Sequence, residues 1–135
     1  MMDSADSTAA RRDSAPPSHC PVLIVEDDDD LREMMAHMLT IEGFDAATVA
    51  NGREALEYLQ HAARPRVILL DLMMPVMDGW EFRRQQKADP GIAPVPVIVL
   101  SALDQTRSAT VDAAAFLKKP LDFDRLLELV REHCR

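Results

Sequence analysis

The sequence is short of cysteine: Cys20 and Cys134 are the only two among 135 residues. Two thiols so far apart along the chain are too few for a disulfide framework or a thiolate metal site. We therefore expect both to be free thiols in a reducing compartment, which favours a cytoplasmic location.

Long apolar runs and an excess of positive charge are also missing. The longest apolar runs are far too short to cross a membrane, and nothing resembles a secretory signal. With 15 lysines and arginines against 23 aspartates and glutamates, the formal net charge is −8. This charge argues against direct binding to nucleic acid or to anionic membranes, and it suits divalent cations or a basic partner surface.

The remaining composition indicates one globular domain with a short tail. Residues 1–19 are rich in Ser, Ala, Asp and Pro, and such a segment cannot bury enough apolar surface to offset its ordering entropy. We expect a disordered tail over residues 1–19 and one folded domain over residues 20–135.

Short apolar runs alternate with amphipathic segments along the folded part. The predicted strands are 22–25, 44–49, 67–70, 97–100 and 116–118. The predicted helices are 31–39 (closed by Gly43), 55–62, 79–88, a short one within 104–114, and a last one after Asp122. This alternation predicts a doubly wound α/β fold of the flavodoxin-like kind: a five-stranded parallel sheet in the order 2-1-3-4-5, with helices on both faces.

Polar side chains follow four of these strands at the point where each strand ends. They are Glu26 and Asp27, Asp71, Ser101, and Lys119. Because the carboxyl ends of parallel strands meet at one edge, we expect all five to lie in one crevice. Taken alone, Asp71 could merely cap the next turn, since Asp is a common turn residue.

Three carboxylates in one crevice repel each other, by roughly 4 kcal/mol for a pair about 4 Å apart at an effective dielectric near 20. Mg²⁺ removes that repulsion and prefers such oxygen ligands. An oxygen nucleophile beside Mg²⁺ and a lysine is suited to phosphoryl transfer. The carboxylate of Asp71 is then the group that is phosphorylated, and the side chains of Ser101 and Lys119 hold the phosphoryl oxygens.

The same residues resemble a known family. The matching motifs are Val25-Glu26-Asp27, the run from Asp71 to Gly79 (DLMMPVMDG), Ser101-Ala102 and Lys119-Pro120. Over residues 21–133 this set is similar to the receiver domain of bacterial two-component response regulators, of the stand-alone type.

The resemblance implies a role for each matching position. Asp71 would accept phosphate from a sensor histidine kinase or a histidine phosphotransfer protein. The Mg²⁺ ligands would be Glu26, Asp27, Asp71 and the backbone carbonyl of Met73. Ser101 and Lys119 are the hydroxyl and lysine positions, and Phe116 falls on the aromatic switch position.

Two departures from the family stand out: Met73 and Leu103, two residues beyond Asp71 and Ser101, are both apolar, and the fourth helix differs. The interval from Ser101 to Lys119 is about one helical turn shorter than usual, and the glycine common before the fifth strand is missing from residues 112–115. We expect this helix, which normally belongs to the face that partners read, to be truncated or irregular.

The topology also bears on the cysteines. Cys20 precedes the first strand and Cys134 ends a helix antiparallel to the strands, so both lie at the edge opposite the crevice. A bond between them is geometrically conceivable, but it is not expected in the cytoplasm.

We interpret the sequence as a single-domain response regulator without a DNA-binding or enzymatic output domain, since the chain stops right after the last helix. It signals through contact with an unknown downstream protein or through phosphorelay, and it catalyses only its own phosphorylation and dephosphorylation. One alternative is a phosphorylation-independent interaction module on a receiver scaffold. Another is a Mg²⁺-dependent phosphohydrolase, which would need a general acid where Met73 stands.

Overall fold

A computed structural model describes residues 20–103, 105–108 and 110–135, in which strands and helices alternate along the chain. The strands are β1 Pro21–Val25, β2 Asp45–Val49, β3 Val67–Asp71, β4 Val97–Ser101 and β5 Ala115–Lys118. The helices are α1 Asp29–Ile41, α2 Gly52–His61, α3 Gly79–Ala88, α4 Gln105–Ser108 and α5 Phe123–His133. None of the helices in these ranges is long and apolar enough to cross a membrane.

The five strands form one parallel sheet in the order β2-β1-β3-β4-β5, which confirms the predicted doubly wound topology. β3 lies at its centre, between β1 and β4. The register pairs Val25 with Leu70, and Asp71 with Leu100. The residues that follow β1, β3 and β4 therefore emerge at one edge of the sheet.

The core is divided between the two faces of the sheet because successive strand side chains point to opposite sides. On β3, Val67 and Leu69 pack with α1 and α5, whereas Ile68 and Leu70 pack with α2 and α3. All five residues of β3 are buried. A strand covered on both faces needs a continuous apolar run, which is why β3 could be recognised in the sequence.

The fourth helix is short, as predicted: α4 covers only Gln105–Ser108. The prediction placed it within 104–114, and residues 104 and 109 lie outside the described residues. After α4, Thr110 and Val111 N–H donate to the carbonyls of Arg107 and Ser108, and side-chain contacts hold the segment against α3. Trp80 Nε1 donates to Thr110 Oγ1 at 2.8 Å, and Lys87 Nζ forms an ion pair with Asp112 at 2.8 Å.

The cysteines correct one sequence prediction, because the structure joins Cys20 and Cys134 in a disulfide. Their Cα atoms are 5.9 Å apart, within the usual range for such bonds. Cys20 immediately precedes β1, and Cys134 caps the end of α5, which runs back to that edge of the sheet. The prediction of free thiols relied on composition, and the topology outweighs it. The predicted tail, 1–19, lies outside the described residues.

The loop between β3 and α3 contains a backbone conformation that is unfavourable for its residue. Val76 has φ of 70°, and around it Met77 N–H donates to the carbonyl of Pro75 at 2.8 Å. A β-branched residue with positive φ is a steric outlier, which costs about 1–2 kcal/mol in the left-handed region. The side chain is 78% exposed, so packing does not repay this cost.

We therefore expect Val76→Gly to raise the free energy of unfolding, measured by urea denaturation. The gain should be about 0.5–1 kcal/mol, because glycine also gives the unfolded chain extra entropy. Val76→Thr, which keeps the branched Cβ, should give no gain. A Val76→Gly protein less stable than the wild type would contradict the assignment of strain to this residue.

Candidate functional site

Three acidic side chains converge at the carboxyl edge of the central strands. Glu26 follows β1 and is fully buried, Asp71 ends β3 and is 4% exposed, and Asp27 is exposed. One carboxylate oxygen from each lies within 4.8 Å of the others. We call these three residues the acidic cluster. Three carboxylates at this spacing are a donor set that fits a hard divalent cation such as Mg²⁺.

Lys119 joins the acidic cluster from the end of β5, the edge strand next to β4. Its Nζ donates to Glu26 Oε1 at 2.8 Å and lies 3.5 Å from Asp71 Oδ1. The backbone places it there, because Lys119 N–H donates to the Ser101 carbonyl at 2.9 Å and so continues the pairing of β5 with β4. The Lys119 ammonium partly balances the negative charge of the buried Glu26 and Asp71 carboxylates.

The electrostatics of the acidic cluster set Asp71 apart. The pKa of Asp71 is raised to about 7, first by burial and second by the Glu26 charge, while the Lys119 charge acts to lower it. Burial alone would lower the pKa of Lys119, but the hydrogen bond to Glu26 and the charges of Asp71 and Glu26 outweigh it, so that pKa is raised. Lys119 thus stays protonated, while Asp71 exchanges a proton near neutral pH.

Ser101 and Phe116 lie next to the acidic cluster, around a cavity. The Ser101 side chain is buried, and its Oγ accepts a hydrogen bond from Leu103 N–H at 3.0 Å. A cavity of about 160 Å³ is lined by Ser101, Leu103, Ser108 and Phe116, among others. Phe116 is only half-buried there and packs against the core on the α2–α3 face. The cavity therefore provides open space beside the hydroxyl.

The loop after β3 approaches the cluster closely. Met73 N–H donates to Asp71 Oδ1 at 3.4 Å, and the Met73 side chain is 56% exposed. At the start of α3, Gly79 N–H donates to the Leu72 carbonyl at 2.8 Å. A Cβ at position 79 would lie 2.7 Å from the Asp71 carbonyl oxygen, so only glycine allows this close return of the chain.

The structure thus connects Glu26, Asp27, Asp71 and Lys119 directly, and it places Ser101 and Phe116 at the adjoining cavity. Sequence reasoning missed one participant, Arg32 in α1. Its Nη1 donates to the Glu26 carbonyl at 2.9 Å. The sequence carries no signal for this contact, because an arginine at this position of a helix can equally point to solvent.

Comparison with known proteins gives a consistent result. The family model described as "Response regulator receiver domain" matches residues 22–131. The DNA-binding response regulator MtrA of Mycobacterium tuberculosis (strain H37Rv) is 36% identical over 118 residues, which cover 84% of this chain and 50% of the relative. The chain therefore spans about half the length of the curated relatives it matches.

Solved structures show the same likeness. The receiver domain of a signal transduction histidine kinase from Syntrophus aciditrophicus is 35% identical, with a TM-score of 0.78, over 84% of this chain and 89% of that one. The receiver domain of the sensor histidine kinase PA1611 from Pseudomonas aeruginosa is 27% identical, also with a TM-score of 0.78. That match covers 86% of this chain and 98% of the other, and the structure holds a magnesium ion in its active-site cleft.

Proposed function

Because the chain belongs to the family of response regulator receiver domains, we propose that Asp71 accepts a phosphoryl group from the phosphohistidine of a sensor histidine kinase or of a histidine phosphotransfer protein. The observation that carries this proposal is the placement of Asp71. It is a buried carboxylate at the end of the central strand, 3.5 Å from the Lys119 ammonium and grouped with two further carboxylates.

Mg²⁺ is the proposed cofactor, since the donor set fits it. The carboxylates of Glu26, Asp27 and Asp71, with the backbone carbonyl of Met73, would hold it. The ion would supply positive charge that neutralises the oxygens of the transferred group.

The chain's own residues make the transfer possible in defined ways. An ionised Asp71 oxygen forms the new O–P bond while the P–N bond to the donor histidine breaks, and the electron pair of that bond stays on the imidazole nitrogen. The Lys119 ammonium, already beside Asp71, attracts the phosphoryl oxygens. The Ser101 hydroxyl donates to one of them.

Signalling would then follow from a shift between two arrangements of the cavity wall. Turning toward the phosphoryl group would take Ser101 Oγ away from Leu103 N–H, and Phe116 would move into the adjacent space. The phosphoryl contacts favour one arrangement by only a few kcal/mol, so the response is a change in populations.

The proposed output is a contact with a downstream protein or relay of the phosphoryl group, in the cytoplasm. The stand-alone type and the absence of nucleic-acid binding remain predictions from the sequence, and the relative MtrA is named as DNA-binding. The chain itself would catalyse only its own phosphorylation and dephosphorylation.

The raised pKa of Asp71 predicts how Mg²⁺ affinity depends on pH. Below about pH 7 the metal must displace a proton from Asp71, so the apparent affinity should fall by up to about tenfold per pH unit. Well above that pH the affinity should level off. Calorimetric titration in two buffers with different ionisation enthalpies measures both the affinity and the released proton. An affinity that stays constant from pH 5 to 8, roughly the range in which this carboxyl titrates, would contradict the prediction.

The function is tested by intact mass spectrometry after incubation with Mg²⁺ and acetyl phosphate. We expect the wild type to gain one phosphoryl group, Asp71→Asn to gain none, and the wild type in EDTA to gain none. Asp78→Asn is the matched control. Asp78 caps α3 through a hydrogen bond from Glu81 N–H, a role that Asn fills equally well, and it lies outside the acidic cluster.

Because some receivers accept phosphate only from their kinase, a negative result is repeated with a panel of phosphorylated histidine kinases. No phosphoryl gain with any donor would overturn the proposal. It would favour the alternative of a phosphorylation-independent module, for which the four-residue α4 is the structural argument.

A further inference from the structure

Arg32 turns back from α1 onto the backbone of residues 26–28, the loop between β1 and α1, which we call the acidic loop. Its Nη1 donates to the Glu26 carbonyl at 2.9 Å and approaches the Asp27 carbonyl at 3.4 Å, while Nη2 pairs with Asp29 Oδ1 at 2.5 Å. The side chain is only 17% exposed. A guanidinium is rigid and planar, so contacts to two successive carbonyls hold the peptide units as well as neutralise charge.

These carbonyls belong to the two residues that bring acidic groups from β1 into the cluster. Glu26 N–H still pairs with the Val49 carbonyl at 3.2 Å, so the sheet holds the chain on one side of the loop. On the other side, α1 begins at Asp29 with Asp28 as its cap. Arg32 ties the backbone between these two anchors to the first turns of the helix.

Lys119 and Arg32 act on different parts of the same residue. Lys119 Nζ holds the Glu26 carboxylate, and Arg32 holds the Glu26 carbonyl. Side chain and backbone are thus set separately, which leaves Glu26 little freedom to turn away from Asp71. The Asp27 side chain is exposed, so packing does not orient it as it orients the buried Glu26 side chain. The direction of the Asp27 carboxylate therefore depends more on the backbone.

From this geometry we infer that Arg32 is a positioning residue for divalent-cation binding by the acidic cluster. The inference rests on the Mg²⁺ site of the proposed function. It assigns to Arg32 the orientation of Glu26 and Asp27, with no direct contact to the cation.

The inference predicts an effect opposite in sign to that of simple electrostatics. A positive charge near a cation site repels the cation. If Arg32 acted only through its charge, its removal would therefore tighten Mg²⁺ binding. Removing a residue that orients two ligands weakens binding, because the ligands must be ordered when the ion binds. The direction of the change therefore distinguishes the two roles.

The test is calorimetric Mg²⁺ titration of the full chain as wild type, Arg32→Met and Arg32→Lys. We expect Arg32→Met to weaken the affinity by about tenfold or more, in the range of supporting residues around metal sites. Arg32→Lys, which keeps the charge but not the planar fork, should be intermediate. At saturating Mg²⁺, the Arg32→Met protein should be phosphorylated by acetyl phosphate to the same extent as the wild type.

A matched control is Arg84→Met. Arg84 pairs with Glu81 three positions earlier on α3, as Arg32 pairs with Asp29 on α1, but it does not belong to the acidic loop. The Arg84→Met protein should bind Mg²⁺ with the same affinity as the wild type. Amide hydrogen exchange without metal is a second readout, in which Arg32→Met should exchange faster at residues 26–28 while the strands keep their protection.

The outcomes separate the inference from the function on which it rests. Equal or tighter Mg²⁺ binding by Arg32→Met, with wild-type binding intact, would overturn the inference and leave the proposed function standing. Absence of Mg²⁺ binding by the wild type would overturn both. General loss of exchange protection across the sheet in Arg32→Met would show a role in folding and would also overturn the inference.

Discussion

Reducing the disulfide between Cys20 and Cys134 is expected to lower the free energy of unfolding by about 3–5 kcal/mol. The two residues are 114 positions apart, so the bond closes nearly the whole described chain into one loop and restricts the unfolded state strongly. It also joins the residue before β1 to the end of α5, both buried at the edge opposite the acidic cluster. Urea denaturation with and without a reductant measures the difference.

The double variant Cys20→Ala/Cys134→Ala is the control for this prediction. It should match the reduced wild type approximately and should not respond to reductant. If the oxidised wild type were no more stable than its reduced form, the bond would contribute nothing to stability. The same experiment gives the stability of the reduced form, which is the form that a reducing compartment favours.

Asp71→Asn is expected to make the metal-free protein more stable at about pH 8, on the order of 2 kcal/mol. Asp71 has a pKa near 7 in the folded state and near 3.8 when unperturbed. The folded state therefore binds the proton more tightly, and wild-type stability falls as pH rises from about 4 to about 7. The variant lacks the buried charge, so its advantage should shrink toward about pH 5 as Asp71 in the wild type becomes protonated.

Mg²⁺ should reverse this difference between the two proteins. Binding to the folded state should raise the wild-type free energy of unfolding and should raise that of Asp71→Asn less, since one ligand is missing. Asp78→Asn removes the same unit of charge outside the cluster and should show neither effect. A destabilised Asp71→Asn protein at pH 8, about one unit above the raised pKa, would mean that burial of Asp71 is compensated within the fold.

The sheet and the acidic cluster were predictable because each depends on short, continuous stretches of sequence. Runs such as Val67–Asp71 are apolar without interruption, as central parallel strands must be, and the parallel order then places Asp71 beside the residues after β1. β2 was a weaker prediction, because an edge strand such as Asp45–Val49 is only partly buried and carries polar residues.

The features that were missed depend on contacts between distant or flexible groups. The Arg32 side chain could point to solvent as well as back onto the loop, and no spacing rule distinguishes these orientations. The predicted topology already placed both cysteines at the same edge, but the low cysteine count indicated a reducing compartment, so the disulfide was not expected. After α4, contacts of Thr110 and Asp112 with α3 replace a longer helix, and the sequence showed only the shortened interval.

The phosphorylated residue can be identified directly by borohydride reduction of the acetyl phosphate-treated protein, followed by peptide mass spectrometry. Reduction converts an aspartyl phosphate to homoserine, so the peptide containing β3 reports the site. The account predicts homoserine at position 71 in the Mg²⁺-treated wild type and at no other aspartate. Homoserine at Asp27 or another aspartate, with Asp71 unmodified, would contradict it.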